Sequence, residues 1–151
     1  MDATLTSRPS PSTLPPQVLR LGYAGLIPFV LGAFLIWIVH AEAHPYTTAA
    51  LSAYAAVIVS FLGGIHWGVG FREADAPLSL FAWGVVPSLV AWIAVLMPPS
   101  AGLVIHGVML AVCYVVDRRV YPQHGLAKWL TLRFRLSAVA SLCCFLGAAG
   151  T

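Results

Sequence analysis

Charge is scarce in this chain. Eight Lys or Arg and five Asp or Glu make up 9% of its 151 residues, where a soluble domain carries about 25%. That shortage excludes an ordinary water-soluble domain. Cysteine is scarcer still, limited to Cys113, Cys143 and Cys144. An odd count, with no Cys-x-x-Cys and no cysteine in a loop, argues against a disulfide framework or a zinc site. Inside apolar runs these three read as small hydrophobic residues. A Gly-rich phosphate loop, a nucleophile elbow and a Ser-His-Asp pattern are all missing. No motif dictates a reaction, so the expected protein is not an enzyme and needs no cofactor.

Hydrophobicity is what the chain has in abundance, at 60% of residues and a mean hydropathy of +0.88. Five apolar runs stand out: Leu21–Val39, Thr47–Gly70, Leu78–Met97, Ala101–Val116 and Leu132–Gly150. A helix needs roughly 20 residues to cross a hydrocarbon core of roughly 30 Å. The fourth run is the shortest. The expected fold is all-α, a polytopic membrane protein built as a single bundle of five transmembrane helices over residues 18–151. Residues 1–17, rich in Ser, Thr and Pro, read as a disordered tail. With one Arg and no apolar stretch, they are not expected to form a signal peptide.

The basic residues set a topology. Arg8 and Arg20 precede the first run, and Arg72 lies between the second and third. Arg118, Arg119, Lys128, Arg133 and Arg135 lie between the fourth and fifth. The other links hold none. Lys and Arg stay cytoplasmic during insertion, so the N-terminus is expected inside and the C-terminus outside. The net charge of +3 and pI near 9.0 then reflect contact with lipid headgroups rather than nucleic acid. A bacterial inner membrane is the expected home. The lipid bilayer and other membrane protein subunits are the expected partners.

The segment Gly63-Gly64-Ile65-His66-Trp67-Gly68 is the most unusual. Gly64 and Gly68 form a small-xxx-small pair that, with Gly63, suits close helix packing. His66, six residues before Arg72, sits roughly 9 Å below the cytoplasmic surface. An ionisable residue at that depth is a functional candidate. It could bind a haem or metal, relay a proton, or hydrogen-bond a quinone carbonyl. In that reading Trp67, Pro28 and Pro87 line the site. The structural alternative is a brace: Pro28 frees the carbonyl of Ala24 and Pro87 that of Trp83, and a neutral imidazole could donate to either. His106 lies in the outer half of the fourth helix, roughly 12 Å away in height, which argues against a shared haem. If helical, His40 and His44 share a face that could hold a divalent metal. Glu42 would point elsewhere and Pro45 would disturb that turn, so no metal site is expected. Asp117 is expected to pair with Arg133 or Arg135. With Arg118, Arg119 and Lys128 these form a cytoplasmic ion-pair or docking cluster. A faint internal echo links Gly25-Leu26-Ile27-Pro28 with Gly84-Val85-Val86-Pro87.

Gly25-Leu26-Ile27-Pro28-Phe29, the stretch Phe61 to Gly68, Pro87 with Trp92, and Asp117 with Trp129 and Leu132-Arg133 together resemble a family of small five-helix membrane proteins. That family is of unknown function, occurs in proteobacteria, and has a human relative among the numbered transmembrane proteins. The resemblance covers nearly all of the chain after Gln17. It implies a membrane location and carries no activity, substrate or cofactor with it. Composition and the glycine-rich helix face favour an accessory or assembly partner of a larger inner-membrane complex, such as a respiratory one. The alternative is a protein that binds or transports a quinone, haem or metal around His66.

Overall fold

Five helices long and apolar enough to cross a membrane account for nearly all of the described chain. The computed structural model describes residues 14–151. The tail expected over residues 1–17 therefore lies outside the described residues up to residue 13. The first span consists of α1 (Pro16–Ala24) and α2 (Ile27–Ile38), separated by a break at Gly25–Leu26. It is followed by α3 (His44–Gly70), α4 (Leu78–Leu96), α5 (Pro99–Val120) and α6 (Leu130–Ala149). Short 3-10 turns at Tyr121–His124 and Ala127–Trp129 join α5 to α6.

Proline places most of the helix starts. α1, α2, α3 and α5 each carry Pro in the first two positions. A missing N–H costs nothing there, because the first-turn donors have no partner within the helix. Pro45 was expected to disturb its turn but instead opens α3. Conversely, α2 stops at Ile38 and the backbone is extended at Val39 and His40. His40 and His44 therefore do not share a helical face, and His44 Nε2 lies 3.1 Å from the Val39 carbonyl. The fourth span is not short. It continues past Val116 to Val120 because the charge at Asp117 is buried and paired rather than exposed to lipid.

α3 is the central helix and packs against α2, α4, α5 and α6. The core is a dense apolar seam that includes Phe29, Ile36, Val59, Leu103, Leu110 and Cys144, each at most 1% exposed. Large apolar side chains such as Phe34, Trp37, Phe61 and Trp92 point outward, as a lipid-facing surface requires. The closest approach is between α3 and α4. A Cβ added at Gly63 would overlap the Gly84 carbonyl, and Pro87 sits beside it. Gly63 thus packs as expected, whereas Gly64 and Gly68 do not. Nothing among the described residues lies within 4 Å of a Cβ built at either, because steps of one and five residues on a helix turn the side chain about 100° and about 140° away from that of Gly63. The two proline echoes also differ: Pro28 opens a new helix after a break, while Pro87 lies buried inside continuous α4.

Among the described residues, every Lys and Arg falls at one end of the bundle, called the basic end below. The beginning of α1, the end of α3, the end of α5 and the start of α6 meet there. The Glu73 carboxylate pairs with His124 and ties the α3–α4 link to the α5–α6 link.

A buried His–Asp–Arg cluster beside an apolar cleft

Asp117 lies three residues before the end of α5 and is fully buried. An isolated carboxylate in such a place costs far more than a helix can supply, so it has to be paired. Arg133, in the first turn of α6, donates from both Nε and Nη2 to Asp117 Oδ2, at 2.9 and 2.6 Å. Asp117 Oδ1 faces His66 Nε2 of α3 at 3.4 Å, within ion-pair range though not in a well-directed hydrogen bond. The other ring nitrogen, Nδ1, lies 3.3 Å from the Leu62 carbonyl one turn back. Tyr121, one turn beyond Asp117, closes the cluster, with its ring centroid 6.3 Å from that of His66. His66, Asp117 and Arg133 are 1%, 0% and 8% exposed. Three helices therefore meet on one charged cluster near the basic end.

This arrangement revises the expected brace. His66 does not reach the carbonyls of Ala24 or Trp83, because it faces α5 rather than the first span. The break in the first span is satisfied differently: Tyr54 donates its hydroxyl to the Gly25 carbonyl at 2.8 Å, and its ring packs edge-on against Phe29. Trp67 is exposed on another face of α3. It donates to the Phe81 carbonyl at 2.9 Å and packs edge-to-face with Phe71 and Phe81. Pro28 is exposed and Pro87 packs on Gly63. The four residues expected around one site are thus dispersed. Of the basic cluster, only Arg133 joins Asp117. Arg118, Arg119 and Lys128 are exposed, and Arg135 donates to the Tyr23 hydroxyl at 3.1 Å. Among the described residues, no three His, Cys, Asp or Glu side chains come together as a metal site.

The break at Gly25 also opens a cleft. α1 buries no residue and touches chiefly α6. Between it and the bundle lies a cavity of about 700 Å³. Its walls are Gly22, Gly25 and Leu26 of the first span, Leu62, Ile65 and Val69 of α3, and Leu132 and Leu136 of α6. Polar groups enter mainly at the basic end, from Arg72, Tyr121, Trp129 and Arg133. His66 contributes no surface to the cleft and acts on it only through Asp117 and Arg133. Sequence reasoning missed Tyr121 and Tyr54. For Tyr121 there was a signal, since a polar residue four positions after Asp117 shares its helix face. For Tyr54 there was none.

Elsewhere in the interior, His106 is fully buried with neither ring nitrogen partnered, and Ser137 Oγ is also unpartnered. A buried polar group left unpaired costs about 1–3 kcal/mol.

Comparison with known proteins agrees with this architecture. A family model described as "Protein of unknown function (DUF3429)" matches residues 14–149. "Transmembrane protein 69" of Xenopus tropicalis is 40% identical over 134 residues, a match covering 83% of this chain and 51% of the relative. The chain thus spans about half the length of that curated relative. No solved structure matches it. With a family model covering almost all of the described bundle, the chain belongs to the DUF3429 family of membrane proteins of unknown function.

Proposed function

We propose that the protein is a non-enzymatic membrane protein that binds a lipid-soluble molecule in the cleft beside α1. One observation carries this reading: a cavity of about 700 Å³ with apolar walls and a polar end at Arg133 and Tyr121. Ligand sites are concave, mostly apolar, and carry a few placed polar groups. Arg133 has five N–H donors and directs its Nε and Nη2 at Asp117. Its Nη1 is left to meet a hydrogen-bond acceptor, with Tyr121 lining the cleft beside it. The ligand then has an apolar body and a carbonyl-like or anionic head, which includes quinones. Asp117 and His66 hold Arg133 in place rather than touching the ligand. In this reading the basic end is cytoplasmic, which the charge asymmetry supports, and the membrane is a bacterial inner membrane.

The test is extraction of the full chain in a native-lipid nanodisc, followed by mass spectrometry of the bound small molecules. Wild-type protein should retain one lipid-soluble species enriched at least about tenfold over bulk lipid. Leu136→Trp, which fills the cleft, should lose it. Bulk lipid composition in both preparations would refute the reading.

A second reading, an accessory or assembly partner of a larger complex, draws on Gly64 and Gly68. They lie four residues apart on α3 with open space before both, and small residues at that spacing admit a partner helix. It requires co-migration with a larger complex in mild detergent, lost in Gly64→Leu. Migration of the chain alone would overturn it.

A further inference from the structure

The buried polar groups do not end at Asp117. Ser137 and Ser141 lie one and two turns beyond Arg133 on the same face of α6, and both are buried. Ser141 donates to the carbonyl of Gly107 of α5 at 3.0 Å, one residue along the chain from His106. Ser52 of α3, also buried, has its hydroxyl against Gly102, one turn past His106. Taking Asp117 with its two partners, His66 and Arg133, as a common level, the helical rise puts these groups at about 6 Å for Ser137, about 12 Å for Ser141, about 16 Å for His106 and about 21 Å for Ser52. A single water bridging two polar atoms spans about 5–6 Å, which matches the axial step between successive groups.

The buried atoms without a hydrogen bond fall on the same line. Of six among the described residues, Ser137 Oγ and both nitrogens of His106 belong to it, and His66 Nε2 and Asp117 Oδ1, which face each other at 3.4 Å, end it. A buried imidazole with two free nitrogens has no bracing role. Apolar residues of similar volume would pack the same place without loss. What two free nitrogens can do is pass a proton.

The geometry points to a hydrated proton path from the end of the bundle opposite the basic residues, through His106, to the His66–Asp117 pair. A proton enters one nitrogen of His106 from water on the Ser52 side. The proton on the other nitrogen leaves to water on the Ser141 side, and ring rotation restores the starting tautomer. Only N–H and O–H bonds are made and broken, and His106 ends unchanged. Arg133, a fixed positive charge against Asp117, stops the path from continuing to the basic end. The line therefore gives the buried pair proton access from the end opposite the basic residues. This inference goes beyond the ligand reading and does not need the cleft to be filled.

Water access can be read at each ring by exchange of the imidazole C2 hydrogen for deuterium, measured by mass spectrometry on the full chain in nanodiscs. On a wet path His106 should exchange within about tenfold of exposed His40. His106→Leu, which fills the line with apolar volume, should slow exchange at His66 at least tenfold. Ser137→Val should do the same and serves if the first variant does not fold. Exchange at His106 more than a hundredfold slower than at His40 would overturn the path. So would exchange at His66 that is unchanged in the folded variants, because His66 would then be reached from the basic end.

Discussion

Removing one member of the Asp117–Arg133 pair tests the central claim about how this bundle is held together. In soluble proteins, breaking a buried ion pair by deleting one partner costs about 3–5 kcal/mol, because a charge is left buried alone. Interhelical hydrogen bonds in membrane proteins average only about 0.6 kcal/mol and reach about 1.7 kcal/mol. The structure decides between these scales, and differently for the two partners. Arg133 stands three residues into α6 at the basic end, with 8% of its surface exposed. Its long side chain can swing toward the interface once Asp117 is gone. Asp117 is short, fully buried and has no such escape. Asp117→Asn should therefore cost about 1.5–2.5 kcal/mol, and Arg133→Met about 3–4 kcal/mol. The double variant should cost less than the sum, with a coupling energy of about 1.5–2 kcal/mol. The assay is reversible unfolding in mixed micelles by a denaturing detergent, followed through the five tryptophans. Coupling below about 0.5 kcal/mol, the usual limit of additivity for independent sites, would refute the claim that this pair holds α5 to α6. Equal costs for the two single variants would refute the argument from side-chain escape.

Two further substitutions probe the packing. Gly63→Ala should destabilise the bundle by about 1–3 kcal/mol in the same unfolding assay, since its Cβ meets the Gly84 backbone. Gly64→Ala, one residue on, meets nothing within 4 Å and should be neutral, or stabilising by up to about 1 kcal/mol through helix propensity. Tyr54→Phe removes the 2.8 Å bond to the Gly25 carbonyl at the break. It should cost about 1 kcal/mol and increase proteolytic or hydrogen-exchange access to residues 16–26, with little change in α5 or α6.

Much of the site's chemistry could be read from residue identity, and little of its assembly. His66 stood out because an ionisable side chain six residues inside an apolar run is costly wherever it points. Asp117 was paired in advance with Arg133 or Arg135, but one helical step of two residues decides which of them faces inward. Arg133 does so, and Arg135 turns toward Tyr23. The glycines show the same limit. Gly63, Gly64 and Gly68 share a motif, yet only Gly63 lies on the face that α4 covers. The cleft could not be anticipated at all, because it arises where α1 departs from the bundle after Gly25 and belongs to no single segment.

The membrane location, the number of spans and the end at which positive charge collects follow from the sequence alone. They depend on the cost of placing polar groups in hydrocarbon, and that cost is paid residue by residue along the chain. The rotation of each helix about its axis is a different quantity. It depends on which neighbours compete for the same face, and only packing three helices together resolves it. That packing placed His66 on Asp117 rather than on a proline-freed carbonyl, set Arg133 at the end of an apolar cleft, and buried His106 with both ring nitrogens unpartnered.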